Sequence, residues 1–239
     1  MIRLKPNLGR LLLFVFIFLF ALLALFPLRL AIDYMGFDRF GLAAREANGS
    51  VWLGALNEAQ IGPAPLGDVE VRLNRLPLLI GRTRLSLTRQ ELDAPFSGAT
   101  SVSRDGFGLD DFTGQLRLGA ALAPLPVSSV DLDDVSVHFA NGVCESAEGR
   151  VRALIARDVG GFAFSSGLSG TVGCQGGKLR LPLTSQSGAE RLDLILGADG
   201  RYQAEFSVRA GDPALRTQLV AAGFRPFGNA LSIRIHGAF

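Results

Sequence analysis

The sequence predicts a mostly β fold, an antiparallel sheet preceded by one N-terminal apolar helix. Three observations carry that expectation. A single long uncharged run, Leu11–Leu28, lies near the N-terminus. Beyond it the period of three to four residues gives way to short runs that alternate apolar and polar, the pattern of strands with one face on a core and one in water. Finally, 29 glycines and 11 prolines cut the 239-residue chain into strand-length pieces.

The first element is the run "LLLFVFIFLFALLALFPL". Eighteen uncharged residues approach the roughly 20 that cross a hydrocarbon core of about 30 Å. Arg3, Lys5 and Arg10 precede it without an acid, whereas Arg29, Arg39 and Arg45 after it are matched by Asp33, Asp38 and Glu46. The positive-inside rule then places residues 1–10 in the cytoplasm, a transmembrane anchor over 11–30, and residues 31–239 on the far side. A cleaved signal peptide competes, but its apolar region is usually about 7–15 residues and ends in a small-x-small site. Here Ala21 and Ala24 are separated by two leucines. The expectation is therefore a single-pass membrane protein whose bulk lies outside the cytoplasm.

The alternating runs follow in order: Val69–Leu73, Arg84–Arg89, Gly114–Gly119, Val135–Phe139, Gly149–Ala156, Lys178–Leu183, Leu192–Leu196, Ala204–Ala210 and Leu231–Gly237. Such half-polar strands suit antiparallel pairing, since parallel sheets are buried on both faces. "GADG", Gly197–Gly200, reads as a hairpin turn between two of them. Only two further segments look helical. Arg75–Arg82 has room for about one turn, and Asp212–Phe224 has a capping aspartate, a proline at the first position and a glycine near its end. Strands without long intervening helices favour a meandering antiparallel sheet. "GSVWLGALNEAQIG" resembles "GRVRALIARDVGG", and "LPLLIGRTRLSL" resembles "GCQGGKLRLPL". Two similar halves with a boundary near 124–127 would account for both pairs.

Charge gives little pull toward nucleic acid, because the net is +2 and the 24 bases, nearly all arginine, are scattered singly. Cys144 and Cys174 stand thirty positions apart. In an oxidising compartment they are expected to pair; two free buried thiols, or cysteine–histidine chemistry with His138 or His236, are the competing readings. The stretch "NGSVWLG", Asn48–Gly54, holds the sole tryptophan. Its G-x-x-x-x-G outline fails as a phosphate loop, because Ala55 and Leu56 stand where lysine and a hydroxyl residue are needed. Asn48 is a formal glycosylation acceptor that would stay bare in a bacterial periplasm. The acidic clusters Asp105, Asp110, Asp111 and Asp131, Asp133, Asp134 raise two readings, calcium ligands in a glycine-turned loop and the carboxyl pair of a retaining glycosidase, which stand about 5 Å apart. Within a strand, Asp131 and Asp133 read as a solvated face. No catalytic constellation, metal motif or cofactor fingerprint is present in the sequence, and the expectation is a protein that is not an enzyme.

The block "GSVWLGALNEAQIGPAPLGDVEVRLNRLPLLIGRTRLSL" resembles the type II secretion system protein N family through Gly49, Val51, Trp52, Gly54, Leu78, Leu79, Gly81 and Arg82. The pair Cys144 and Cys174, each near a glycine-led strand, is similar to a cysteine pair of that family. The resemblance implies an inner-membrane anchor, a β-rich periplasmic domain, and a non-enzymatic accessory subunit of the machine that exports folded periplasmic proteins. It also implies other secretion subunits as partners: the inner-membrane platform and the secretin, with inner-membrane lipid around the anchor. The competing expectation is a periplasmic lipid-handling protein like the AsmA-like and lipopolysaccharide-export bridge families. Seventeen phenylalanines would supply an apolar groove in that case, though about half lie in or near the anchor.

Overall fold

Alternating runs joined by short glycine-containing turns pair readily with their neighbours in sequence, and the chain does this almost throughout. The computed structural model describes residues 8–30, 42–62, 64–78, 81–89, 91, 94–118, 122–125, 127–155 and 167–238, and most of these described residues lie in strands. Sixteen strands form one antiparallel sheet. They are β1 (Leu42–Ala43), β2 (Glu46–Ser50), β3 (Leu53–Ile61), β4 (Ala64–Leu73), β5 (Thr83–Arg89), β6 (Phe96–Val102), β7 (Gly106–Arg117) and β8 (Val127–Ala140). The second half adds β9 (Val143–Ile155), β10 (Leu168–Thr171), β11 (Gly173–Gln175), β12 (Lys178–Thr184), β13 (Glu190–Leu196), β14 (Arg201–Val208), β15 (Arg225–Phe227) and β16 (Ala230–Ala238). The order across the sheet is β1-β3-β4-β5-β6-β7-β8-β9-β10-β12-β13-β14-β16-β15, with β2 on β3 and β11 on β12.

Open sheets rarely exceed about ten strands without curling, and this one curls. β4 and β7 come within 8 Å although β5 and β6 lie between them, and β9 and β12 do so across β10. The curling encloses two apolar clusters. One gathers Leu28, Leu56, Val69, Val71, Phe96 and Phe112. The other runs from Leu122 through Val137, Phe139 and Leu183 to Phe206 and Leu231. The change from one to the other falls near residues 116–127. Phe96, Phe112, Phe206 and Phe224 are buried in the core and pack the sheet, whereas Phe107 and Phe139 line a cleft described below.

The N-terminal element differs in extent from the expected 11–30 span. Helix α1 covers Leu8–Ala24, 17 residues, or about 26 Å at 1.5 Å per residue. Among the described residues no helix is long and apolar enough to cross a membrane. Pro27 is the physical reason for the early end, since the residue before a proline is pushed out of helical geometry. Leucines and phenylalanines from Leu11 to Phe20 are exposed all round α1. Among the described residues, the two further segments expected to be helical match. α2 is the single turn Arg75–Leu78, and α3 spans Pro213–Ala221. The Asp212 side chain accepts from the Ala214 amide at the start of α3, and Pro213 sits at its first position.

Acidic residues mark the irregularities of the sheet. Asp111 has φ 51° and Asp134 φ 54°, each where the register slips, between Leu109 and Phe112 on β7 and between Asp133 and Ser136 on β8. A β-bulge leaves one amide without its ladder partner and favours residues that tolerate a left-handed backbone. Here the Asp111 amide donates to Ser136 Oγ (2.9 Å) and the Asp134 amide to Thr113 Oγ1 (3.1 Å).

Candidate functional sites: a hairpin collar and two clefts

The tryptophan stretch is a β-hairpin. β2 and β3 are joined by the two-residue turn Val51–Trp52, with Ser50 opposite Leu53 and Gly49 opposite Gly54. Trp52 is half-buried at this turn. Gly49 has φ +87° and a Cβ there would lie 2.6 Å from the Leu53 carbonyl; a Cβ on Gly54 would lie 2.5 Å from Leu28 Cδ2. The two glycines thus leave a slot, and the segment after α1 fills it. Pro27 bridges to Ser50, the Val51 amide donates to the Phe26 carbonyl (3.0 Å), and Leu28 is buried in the first core cluster. Of the expected signature residues, Gly49, Val51, Trp52 and Gly54 form this collar around the exit of α1. Leu78 ends α2, and the turn that follows is closed by bonds from the Gly81 amide to Leu78 O and from the Arg82 amide to Pro77 O. Leu79 lies outside the described residues.

Arg82 belongs to the second place, a cleft of about 670 Å³ that also takes in Arg84, Ser101, Asp110, His138 and Ser146. Register explains how residues so distant in sequence meet. Arg84 on β5, Ser101 on β6, Gly108 on β7, His138 on β8 and Ser146 on β9 stand opposite one another in one row. Neighbouring strands are about 4.8 Å apart, so Arg84 and His138 start roughly 14 Å from each other. They converge because the intervening residues are small. Gly108 is required, since a Cβ there would lie 2.6 Å from His138 Cδ2. Asp110, two residues further along β7, then serves both. Its Oδ1 is 2.7 Å from His138 Nε2 and its Oδ2 is 3.5 Å from Arg84 Nε. Arg84 also donates to Asp111 (3.2 Å), and Ser146 Oγ lies 3.3 Å from His138 Nδ1.

A hydroxyl–imidazole–carboxylate chain is the arrangement that activates nucleophiles, and sequence reasoning missed it. Asp110 was grouped with its acidic neighbours and Ser146 with none, because only the strand register brings the three together. The arrangement also does structural work. Asp110 is shared between a guanidinium and an imidazole, so this chain of bonds ties β5, β7, β8 and β9 together. Asp133, expected to lie on a solvated face, is exposed and paired with Arg150 (3.0 Å).

A second cleft, also of about 670 Å³, is lined by Lys178, Arg180, Ile195, Arg201, Tyr202 and His236, among others. Its row is Arg180 on β12, Ile195 on β13, Gln203 on β14 and His236 on β16. Arg180 is held by Asp193 (2.5 Å), whose hydrogen bond and negative charge raise the guanidinium pKa above its ordinary value.

Between the rows lies the disulfide. Cys144 on β9 is bonded to Cys174 on β11 with Cα atoms 5.5 Å apart. β10 pairs with β9 only from Arg150 to Ala153, so the start of β9 has no ladder partner on that side among the described residues. The disulfide and the Cys144 amide bond to Gly177 O (2.8 Å) fasten it to the β11–β12 hairpin instead.

The family model for type II secretion system protein N matches residues 41–234. The chain belongs to the type II secretion system protein N family. That match begins just ahead of β1, runs through both clefts and ends within β16, so the whole sheet is the family's domain. No curated protein and no solved structure matches the chain. Family membership makes it a component of type II protein secretion.

Proposed function

We propose that the chain is an accessory subunit of the type II secretion machine, held to the inner membrane by α1 and working through contacts of its sheet in the periplasm. The observation that carries this reading is the family match over the entire β domain, residues 41–234. The N-terminal architecture supports the placement. A helix exposing leucine and phenylalanine on every side suits lipid better than water, and local bilayer thinning with snorkelling of flanking residues accommodates the modest shortfall of a 17-residue helix. The paired cysteines suit an oxidising compartment. In this reading the collar converts the anchor into a fixed mount, because Phe26, Pro27 and Leu28 are tied to the hairpin before the chain enters the sheet. The platform proteins and the secretin are the proposed partners.

The test is isolation of the tagged full chain from detergent-solubilised membranes, followed by identification of what accompanies it. Recovery of secretion subunits in salt-resistant stoichiometric amounts is the expected result. Recovery of the chain alone, under conditions that preserve the platform, would overturn the proposal.

A further inference from the structure

The two cleft rows occupy the same places in two successive four-strand groups. Arg84, Ser101, Gly108 and His138 stand in register on β5, β6, β7 and β8. Arg180, Ile195, Gln203 and His236 do so on β12, β13, β14 and β16. The next row repeats the match: Thr83, Val102, Phe107 and Phe139 correspond to Leu179, Leu196, Tyr202 and Gly237. β16 is thus the second group's β8. The difference lies beyond it. β8 is paired along its far edge by β9, which sets Ser146 opposite His138. The far edge of β16 is paired by β15 only at Ala230, Leu231 and Ser232. From Ile233 to Ala238 no strand among the described residues covers it.

We propose that this open edge of β16 receives an extended, carboxylate-bearing strand of a partner protein, in the position that β9 takes on β8. Six residues give about 20 Å of free ladder, a length typical of strand addition. The inward positions, Ile233 and Ile235, are half-buried against the second core cluster and call for small apolar partners. The outward positions are Arg234 and His236, both exposed, with Arg225 on the same face through its pairing with Ser232. Lys178, Arg180 and Arg201 line the adjoining cleft. Three acids answer these bases: Glu205 on Arg234, Asp193 on Arg180 and Asp199 on Arg201. The surplus is positive, and β9 itself carries Glu145, Ser146 and Glu148 along the equivalent stretch.

A second copy of this chain fits poorly. Edge-to-edge pairing of two β16 strands would set Arg234 and His236 against their own kind, which is unfavourable directly across a ladder. Head-to-tail pairing would meet only short edges among the described residues: the two-residue β1, and the five-residue β2, which Pro27 already bridges at Ser50. The occupant is therefore a strand from another protein. The secretion-subunit reading bears only on which protein supplies it.

The probe is a short fluorescent peptide alternating valine and glutamate, added to the full chain in detergent, with a valine–lysine peptide as counterpart. Binding is read by anisotropy and by hydrogen exchange of amides 233–238. The glutamate peptide is expected to bind and to slow exchange about tenfold at the alternate amides of 233–238 that face away from β14, while the lysine peptide does neither. The Arg234→Glu/His236→Glu variant, altered only at exposed positions, should exchange these preferences. Equal binding of both peptides, or binding without protection of 233–238, would overturn the proposal. So would concentration-dependent self-association that protects the same amides. Normal secretion in cells lacking the protein would count against the secretion reading and leave the peptide result standing.

Discussion

Breaking the bond between Cys144 and Cys174 should destabilise the fold by an amount set by the loop it closes. The two positions are separated by 30 residues, and on the chain-entropy treatment a loop of that size contributes about 3.7 kcal/mol at 25 °C. For a protein of this size each kcal/mol corresponds to roughly 2–4 °C in Tm, so the expected loss is about 7–15 °C. The comparison is thermal unfolding of the full chain in detergent against Cys144→Ala, Cys174→Ala and the double variant. All three remove the same bond, so the double variant should lie within about 1 kcal/mol of each single one. Cys144 is buried, so reductant should act on the folded protein slowly and on the unfolded protein at once. A Tm unchanged in the double variant would refute the view that the disulfide replaces the ladder missing beside the start of β9. Additive losses from the two single variants would refute it equally.

Other substitutions test the collar, the cleft and the buried arginine. Gly54→Val should cost about 1–3 kcal/mol by expelling Leu28 from its slot, and should speed proteolysis between residues 25 and 30, read by mass spectrometry. Asp110→Asn should cost about 1–2 kcal/mol in urea unfolding because it strands His138 and Arg84 together. Ser146→Ala, exposed and at the end of the same chain, should cost under about 0.5 kcal/mol. Arg89 is buried over the Phe96 ring at 5.0 Å and donates to the carbonyls of Leu66 and Ala94. Arg89→Met should cost about 2–4 kcal/mol by leaving those acceptors unpaired.

Local patterning made most of the sheet readable. The runs at Val69–Leu73, Arg84–Arg89, Lys178–Leu183 and Leu192–Leu196 lie within β4, β5, β12 and β13; in β4 the buried Val69 and Val71 alternate with the exposed Glu70 and Arg72, as a period of two requires. β6, with its Ser97, Gly98 and Ala99, was not legible, since small residues on a curled sheet carry little alternation. β8 was visible only at Val135–Phe139, because the bulge at Asp134 interrupts the period and turned its first half into an apparent acidic cluster. The cleft was illegible for a different reason. His138 meets Asp110 and Ser146 through pairing registers that no local signal fixes. The helix end at Ala24 follows from Pro27, whereas the apolar run alone extended to Leu28.

The central claim is that this chain serves type II secretion, and the most direct measurement is the distribution of an exported cargo in cells with and without it. The account predicts that cargo accumulates inside the cell envelope when the chain is absent, and that export returns when the full chain is restored. Unchanged extracellular cargo in its absence, under conditions in which removal of a platform subunit stops export, would contradict the account.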